Sequence, residues 1–335
     1  MWREFWHQQV PIVAALLGAG FAAAYLQHGF LPGGERAFPL AGVRVPIWHL
    51  VWMGAWTGYT MALVGEASGI FALPYSMSVL QFANAHVTPT TQLLTFLNPV
   101  GALLGFWRGG QWNLDFAKWV CFGGAAGGLA GPFLRFTVFS EPRLFQLLVG
   151  LMLAFVGVHL LHEAAARPKA AAPGSGGGRR IETLEKRHGR TVIRYGGASW
   201  SLSNGALFLT GAGVGVVASA LGVGGGFLLV PIFAAFFRLP MYVLVAATIP
   251  FVIVLSAVGL FTYALLMPAI ISVAIQPEWA WGLFAAAGGS FGSWCAAKTQ
   301  RWVPEHLLKL MLGAVTGIAG TLYVLNFFVP LPFRL

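Results

Sequence analysis

Apolar windows of the roughly 20 residues that a helix needs to cross a bilayer follow one another along almost the whole chain. They lie near 11–30, 47–64, 88–107, 116–137, 143–161, 202–221, 242–267, 279–297 and 307–328. The longest polar interval runs from His162 to Ser199, which leaves no room for a large extramembrane catalytic unit. Backbone N–H and C=O groups in hydrocarbon must be satisfied within the protein. The expected fold class is therefore all-α, a polytopic transmembrane helical bundle of about nine spans. The composition agrees, with 57% hydrophobic and 9% charged residues and a mean hydropathy of +0.74.

The first window follows "MWREFWHQQ", in which Glu4 cancels Arg3, so the positive n-region of a signal peptide is missing and a retained first helix is expected. Cys121 and Cys295 fall in different apolar windows and read as small buried residues rather than a disulfide. The net charge of +10 is concentrated: between Glu163 and Ser199 eight basic residues face three acidic ones. This interval also holds the Gly/Pro/Ser linker "AAAPGSGGGRR" and lacks the interleaved aromatics of a nucleic-acid surface. By the positive-inside rule it reads as a cytoplasmic loop. Four regions follow: an additional N-terminal helix and loop (1–46), a first transmembrane repeat (47–162), a basic flexible loop (163–200) and a second repeat (201–335).

The repeat emerges when the halves are overlaid at an offset of 157 residues. "GEASGIFALP" (Gly65–Pro74) then falls on "GVGGGFLLVP" (Gly222–Pro231), Gly54 and Gly58 on Gly211 and Gly215, and Thr91 on Thr248. With small gaps, Gly127 and Gly131 meet Gly288 and Gly292, Arg135 meets Lys298, and Gly150 meets Gly313. Glycine is unfavourable inside helices and permits positive φ, so both motifs predict a helix break followed by a half-helix, Ile70–Phe82 and Phe227–Phe237. Each half-helix directs unpaired N–H groups and a positive dipole end at its break, where an anion is the natural guest. Matched interrupted helices are also the sequence pointer to a transporter's midplane site. Alternatively, the glycines serve close helix packing.

These motifs, the two-half organisation and the basic central loop resemble the TauE/SafE family of sulfite exporter-like permeases, also called the 4-toluenesulfonate uptake permease family. The resemblance spans about Trp48 to Leu325 and implies transport of sulfite, sulfonates or related carboxylates across the bacterial inner membrane. The first half departs from the pattern, with Glu66, Ala67 and Ser68 where the second half has Val223, Gly224 and Gly225. Export of sulfite or an organosulfonate is the expected function, with uptake of sulfonates or carboxylates, or a non-transporting assembly role, as alternatives.

The candidate substrate-binding residues are Gly222, Gly224, Gly225, Gly226, Gly65, Ser68, Gly69, Thr91, Thr95, Asn98 and Thr248. Thr91, Thr95 and Asn98 share a helix face at i, i+4, i+7 within the polar stretch "QFANAHVTPTTQLLTFLNP"; they equally suit interhelical hydrogen bonding. Glu66 falls at a break, where an ionisable side chain is expensive, and is a candidate for proton coupling. Arg135 and Lys298 are candidates for anion attraction, or alternatively snorkel to headgroups. His159, His162 and Glu163 form "HLLHE", which matches no complete zinc motif and reads as a helix-end cluster. Trp48, Trp52, Trp279, Trp281 and Trp302 read as interfacial anchors.

No cofactor, metal or enzymatic activity is expected, since no nucleophile set converges in the sequence. The expected partners are the anion, the lipid bilayer and, as an alternative to a monomer, a second copy in a homodimer. Topology stays open. If the breaks add no crossing, the N-terminus lies outside, the C-terminus inside and the halves are parallel; if each adds one, the N-terminus lies inside and the C-terminus outside; inverted halves would need one further odd crossing hidden in the windows.

Overall fold

A computed structural model describes residues 5–29, 35–64, 68–101, 113–165, 181–187, 189–195, 197–239, 241–271, 275–299 and 305–329. The described chain is mostly helical. A short π-turn, Phe5–Gln9, leads into α1 (Val10–His28). The first half then contains α2 (Ile47–Val64), α3 (Gly69–Ser78), α4 (Val87–Leu97), α5 (Leu114–Thr137) and α6 (Pro142–Ala165). The second contains α7 (Asn204–Leu221), α8 (Gly226–Ala235), α9 (Met241–Phe261), α10 (Met267–Ile271), α11 (Trp279–Thr299) and α12 (Glu305–Phe328), with a second π-turn, Thr262–Leu266, joining α9 to α10. Among the described residues, four stretches are long and apolar enough to cross a membrane: Val10–His28, Arg143–His162, Asn204–Leu221 and Ala247–Ile270.

Two β pieces depart from an all-α fold. β1 (Glu35–Phe38) and β2 (Val43–Pro46) pair as an antiparallel hairpin between α1 and α2. β3 (Glu182–Arg187), β4 (Arg190–Tyr195) and β5 (Ala198–Ser203) form a three-stranded antiparallel sheet that starts in the interval read as a flexible loop and ends just beyond it. Burial alternates along β4, with Thr191 and Ile193 buried and Arg190 and Arg194 exposed, as suits a half-buried strand. Asn113 donates to the Ile181 carbonyl just before β3 and to Thr183 on it, and Thr191 donates to Asn204, so the sheet is fastened to the starts of α5 and α7.

Glycines bring the long helices to backbone contact. A Cβ on Gly54 would lie 1.8 Å from the Ala285 carbonyl oxygen, one on Gly288 1.9 Å from that of Val51, and one on Gly292 2.0 Å from that of Ala55. Residue numbers rise together along α2 and α11, so the two helices run parallel. α5 and α7 also run parallel, with Gly123 against Phe208, Gly127 against Gly215 and Gly131 against Val216 and Ala220. In α6 and α12 the order reverses: Gly150 meets Tyr323, Gly157 meets Gly317 and Gly313 meets Leu161, so the pair is antiparallel. Such bare stripes are how membrane helices gain van der Waals contact without a hydrophobic driving force.

The half-helices fold back rather than continue. α3 returns along α2, with Phe71 and Tyr75 against Trp56, Ser76 against Met53 and the Tyr75 hydroxyl 2.8 Å from His49 Nε2. α8 returns along α7, where Leu228, Ile232 and Phe236 share a groove with Leu209, Thr210 and Gly213. Trp48 and Trp52 are exposed as anchors should be, but Trp281 is buried against Phe38 and Phe82, which corrects its reading as an interfacial residue. Trp302 lies outside the described residues.

Substituting Gly288 by Leu is expected to force α2 and α11 apart, with overpacking of about 3 kcal/mol and a fall in melting temperature of about 5–10 °C. Gly18→Ala, at a site with no atom within 4 Å of the new Cβ, should leave melting nearly unchanged. Thermal melts of the purified variants in detergent check this.

Candidate functional site

The helix break in "GVGGGFLLVP" is built by left-handed glycines. α7 stops in a Schellman arrangement, the Gly222 N–H bonding Ser219 O at 3.2 Å and the Val223 N–H bonding Ala218 O at 3.0 Å. Gly222, Gly224 and Gly225 have φ of 77°, 80° and 72°, a region that costs other residues about 1–2 kcal/mol each. Gly226 opens α8 in helical geometry. In the first half α2 ends at Val64 and α3 starts at Gly69 after Ser68; Gly65 and Glu66 lie outside the described residues. Both half-helices are ten residues long, as short as expected but ending before Phe82 and Phe237, and neither has a side-chain N-cap bond.

The two breaks touch. A Cβ on Gly69 would lie 2.8 Å from Val223 Cα and 2.6 Å from the Thr95 hydroxyl oxygen. A Cβ on Gly222 would lie 2.5 Å from the Thr88 carbonyl oxygen. α4 therefore crosses both breaks, and the starts of α3 and α8 bring two sets of uncapped N–H groups into one buried region. Within it the Ser68 hydroxyl, the Thr88 hydroxyl and Gln92 Oε1 are buried without a partner. Leaving such a group unsatisfied costs about 1–3 kcal/mol, which marks the region as one that stability alone does not explain.

The predicted residues divide. Thr95 reaches the break, but its hydroxyl donates to Thr91 O at 2.8 Å, and Thr91 donates to Val87 O at 2.9 Å. With their hydrogens committed to their own helix, both present acceptor lone pairs. The donors facing the breaks are instead backbone N–H groups, Ser68, and Gln92, whose Nε2 makes only long contacts of 3.5 Å to Ser219 Oγ and Leu255 O. Asn98 sits a turn away against Gly58 and Gly289, its carbonyl accepting from Ser293, and belongs to the α2–α11 contact. Thr248 is buried, but Phe251 and Leu255 are the α9 side chains that crowd Gly225. Gln92 is one polar residue among several in that stretch, and its placement against Ser219, across 127 residues of sequence, is what singles it out as a site candidate.

Arg135 is 5% exposed, not at the surface, and its guanidinium lies 3.8 Å from the Phe145 ring centre. Lys298 is half-buried in the last turn of α11, the counterpart position. In the described part of "HLLHE", His159 stacks on Phe155 along α6.

A buried ionisable pair was not legible in the sequence. Glu278, fully buried just before α11, accepts from the Leu40 N–H at 3.0 Å and lies 2.6 Å from His28 Nε2 at the end of α1. Gln27 accepts from the Trp279 N–H and donates to Pro277 O, while the Glu278 N–H bonds Thr90 on α4. The carboxylate at a helix start and the imidazole at a helix end both suit their local dipoles. The additional helix α1 is thereby latched to the helix that crosses the breaks.

Residues 50–323 match the family model for sulfite exporter TauE/SafE. The chain belongs to the sulfite exporter TauE/SafE family. It is 26% identical over 279 residues to a "probable membrane transporter protein" of Xylella fastidiosa strain Temecula1, covering 81% of this chain and 92% of the relative. It is likewise 26% identical over 276 residues to one from strain 9a5c, with the same coverage. No solved structure matches the chain. Family membership and the apolar helices together make this a multi-pass membrane protein.

His28→Ala should leave a buried carboxylate unpaired and cost about 3–5 kcal/mol. Glu278→Gln, which keeps an acceptor for Leu40, should cost less, and the double variant less than the sum. A double-mutant cycle of thermal melts measures the coupling; strict additivity would show that the two side chains act independently.

Proposed function

We propose that this TauE/SafE family member is a secondary transporter of small anions across the bacterial inner membrane, with export of sulfite or an organosulfonate as the first reading. The observation that carries it is the contact of Gly69 with Val223, which joins two uncapped half-helix starts in one buried place. Two positive dipole ends converging without a carboxylate among the described residues favour an anionic guest. Ser68, Gln92 and the N–H groups of Gly69 and Gly226 are its proposed donors; Gly222, Gly224 and Gly225 provide the backbone turn.

The halves are proposed to be inverted duplicates. α2 and α3 recur as α7 and α8 at a constant offset of 157 residues, and α6 recurs as α12 at 163. α6 and α12 are antiparallel and in mutual contact, which supports a pseudo-two-fold axis across the helices, in the membrane plane. Each α2–α3 and α7–α8 pair acts as a re-entrant hairpin with no net crossing, so the windows near 47–64 and 202–221 are not spans in their own right and the count behind an outside N-terminus changes. With the basic interval on the cytoplasmic side, the N-terminus lies inside, the C-terminus outside, and the two hairpins enter from opposite faces to meet at their tips. This arrangement supports alternating access by movement of one half against the other.

In thermal-shift assays on the detergent-solubilised protein, sulfite or a small sulfonate is expected to raise the melting temperature by mass action. The shift should vanish in Gly225→Leu, whose side chain would meet Phe251, Ala218 and Leu255. The same anion should show saturable counterflow in proteoliposomes. Proton coupling is proposed at Glu66, so Glu66→Gln should flatten the pH dependence of that counterflow; an unaltered pH profile removes Glu66 from the mechanism. A folded wild type that neither shifts nor exchanges any of these anions would refute the carrier reading.

A further inference from the structure

We propose that Arg135 is the fixed cation of the anion site at the second-half break and makes that site selective for oxyanions over halides; this rests on the carrier reading above. The placement follows from helix register. α5 and α7 run parallel, with Gly127 against Gly215 and Gly131 against Val216, Ser219 and Ala220. One further turn along α5 brings Arg135 level with the Gly222–Gly225 turn.

The side chain is almost wholly buried in the last turn of α5, whose own negative end offsets only part of its charge. One guanidinium nitrogen donates to the Phe139 carbonyl, and the group lies 3.8 Å from the Phe145 ring centre and 5.6 Å from that of Phe136. Its Nε–H is buried without an acceptor. Among the described residues no carboxylate pairs with it.

At the negative end of α7, Tyr263 already donates to two of the carbonyls that Arg135 could otherwise bind. Tyr263 is fully buried in the π-turn between α9 and α10, its hydroxyl donates to Ser219 O at 3.3 Å and Ala220 O at 3.5 Å, and its ring meets Phe136 edge-on. Single π-turns within helices often mark functional sites, and this one aims a hydroxyl at the last turn before the break. The Tyr263 hydroxyl caps the helix end and leaves the neighbouring cation for a mobile partner. A buried ionised side chain without a fixed counter-ion in a membrane protein is a candidate functional group.

A guanidinium offers several N–H donors in a fixed plane, which match the spaced oxygens of a sulfite, sulfonate or carboxylate and have no second acceptor in chloride. The proposed roles are thus complementary: the half-helix starts supply N–H groups, and Arg135 supplies charge and geometry.

The test compares binding of sulfite, methanesulfonate and chloride to wild type, Arg135→Lys and Arg135→Gln, each confirmed monodisperse and folded. Arg135→Gln should weaken sulfite binding by at least about tenfold and erase most of the preference over chloride, with Arg135→Lys between the two. A folded Arg135→Gln that binds sulfite within about twofold of wild type would overturn the proposal, since an arginine that only braces Phe139 and Phe145 sets stability rather than affinity. Should Arg135→Gln fail to fold, phenylglyoxal labelling of the wild type decides. Methanesulfonate, which unlike sulfite does not add to the reagent's aldehyde, should protect Arg135 from adduct formation read by mass spectrometry, whereas chloride at equal ionic strength should not. Equal labelling with and without methanesulfonate, or no labelling, overturns the proposal. Sulfite binding that is lost in Gly225→Leu but retained in Arg135→Gln would reject the role of Arg135 alone; a wild type that binds no anion would reject the carrier reading with it.

Discussion

The backbone contact between Gly69 and Val223 is the constraint on which the rest of the arrangement depends. It requires that both helices be interrupted, that both half-helices turn back, and that no side chain stand between them. Each requirement has its residues. Positive φ at Gly222, Gly224 and Gly225 turns the chain after α7, and the missing Cβ of Gly69 admits Val223 beside Thr95. The cost is polar: uncapped N–H groups and buried hydroxyls collect where the hairpins meet. A protein selected for stability alone would fill such a place with apolar side chains or cap it.

The same bareness recurs on a larger scale. Gly54, Gly288 and Gly292 on one side and Gly123, Gly127 and Gly131 on the other bring each hairpin's long helix against a long helix of the opposite half. The halves are thus interlocked rather than stacked. α6 and α12 close the arrangement as an antiparallel pair. α1 lies outside this pattern and is held to it by the His28–Glu278 pair, which also touches Thr90 on α4. The additional helix therefore bears on the element that crosses both breaks.

Much of this was written locally in the sequence. A glycine run in an apolar window announces a break, and a proline-bearing stretch too short to span announces a half-helix, because both follow from backbone preferences of a few neighbouring residues. What was not legible is relational. Whether a half-helix continues across the membrane or folds back depends on tertiary contacts such as Tyr75 with His49, which no periodicity encodes. Thr91, Thr95 and Asn98 share a helical face as their spacing requires, but that face meets two different neighbours, so only Thr95 lies at the break. Glu278 resembled an ordinary helix-end acid because its partner lies 250 residues away. Trp281 and the sheet Glu182–Ser203 depart from expectation for different reasons: packing against the distant Phe38 buries the ring, whereas the strands pair locally, Arg187 with Arg190 and Tyr195 with Ala198, in an interval whose composition suggested a linker.

The most direct test of the central claim, that two helix breaks form one anion site, is the stoichiometry of radiolabelled sulfite bound at equilibrium to the purified protein and to Ser68→Val and Gly225→Leu. A single shared site predicts one anion per chain in the wild type and loss of binding when either break is altered. Two anions per chain, or one retained in each variant, would show that the breaks act separately and would contradict it.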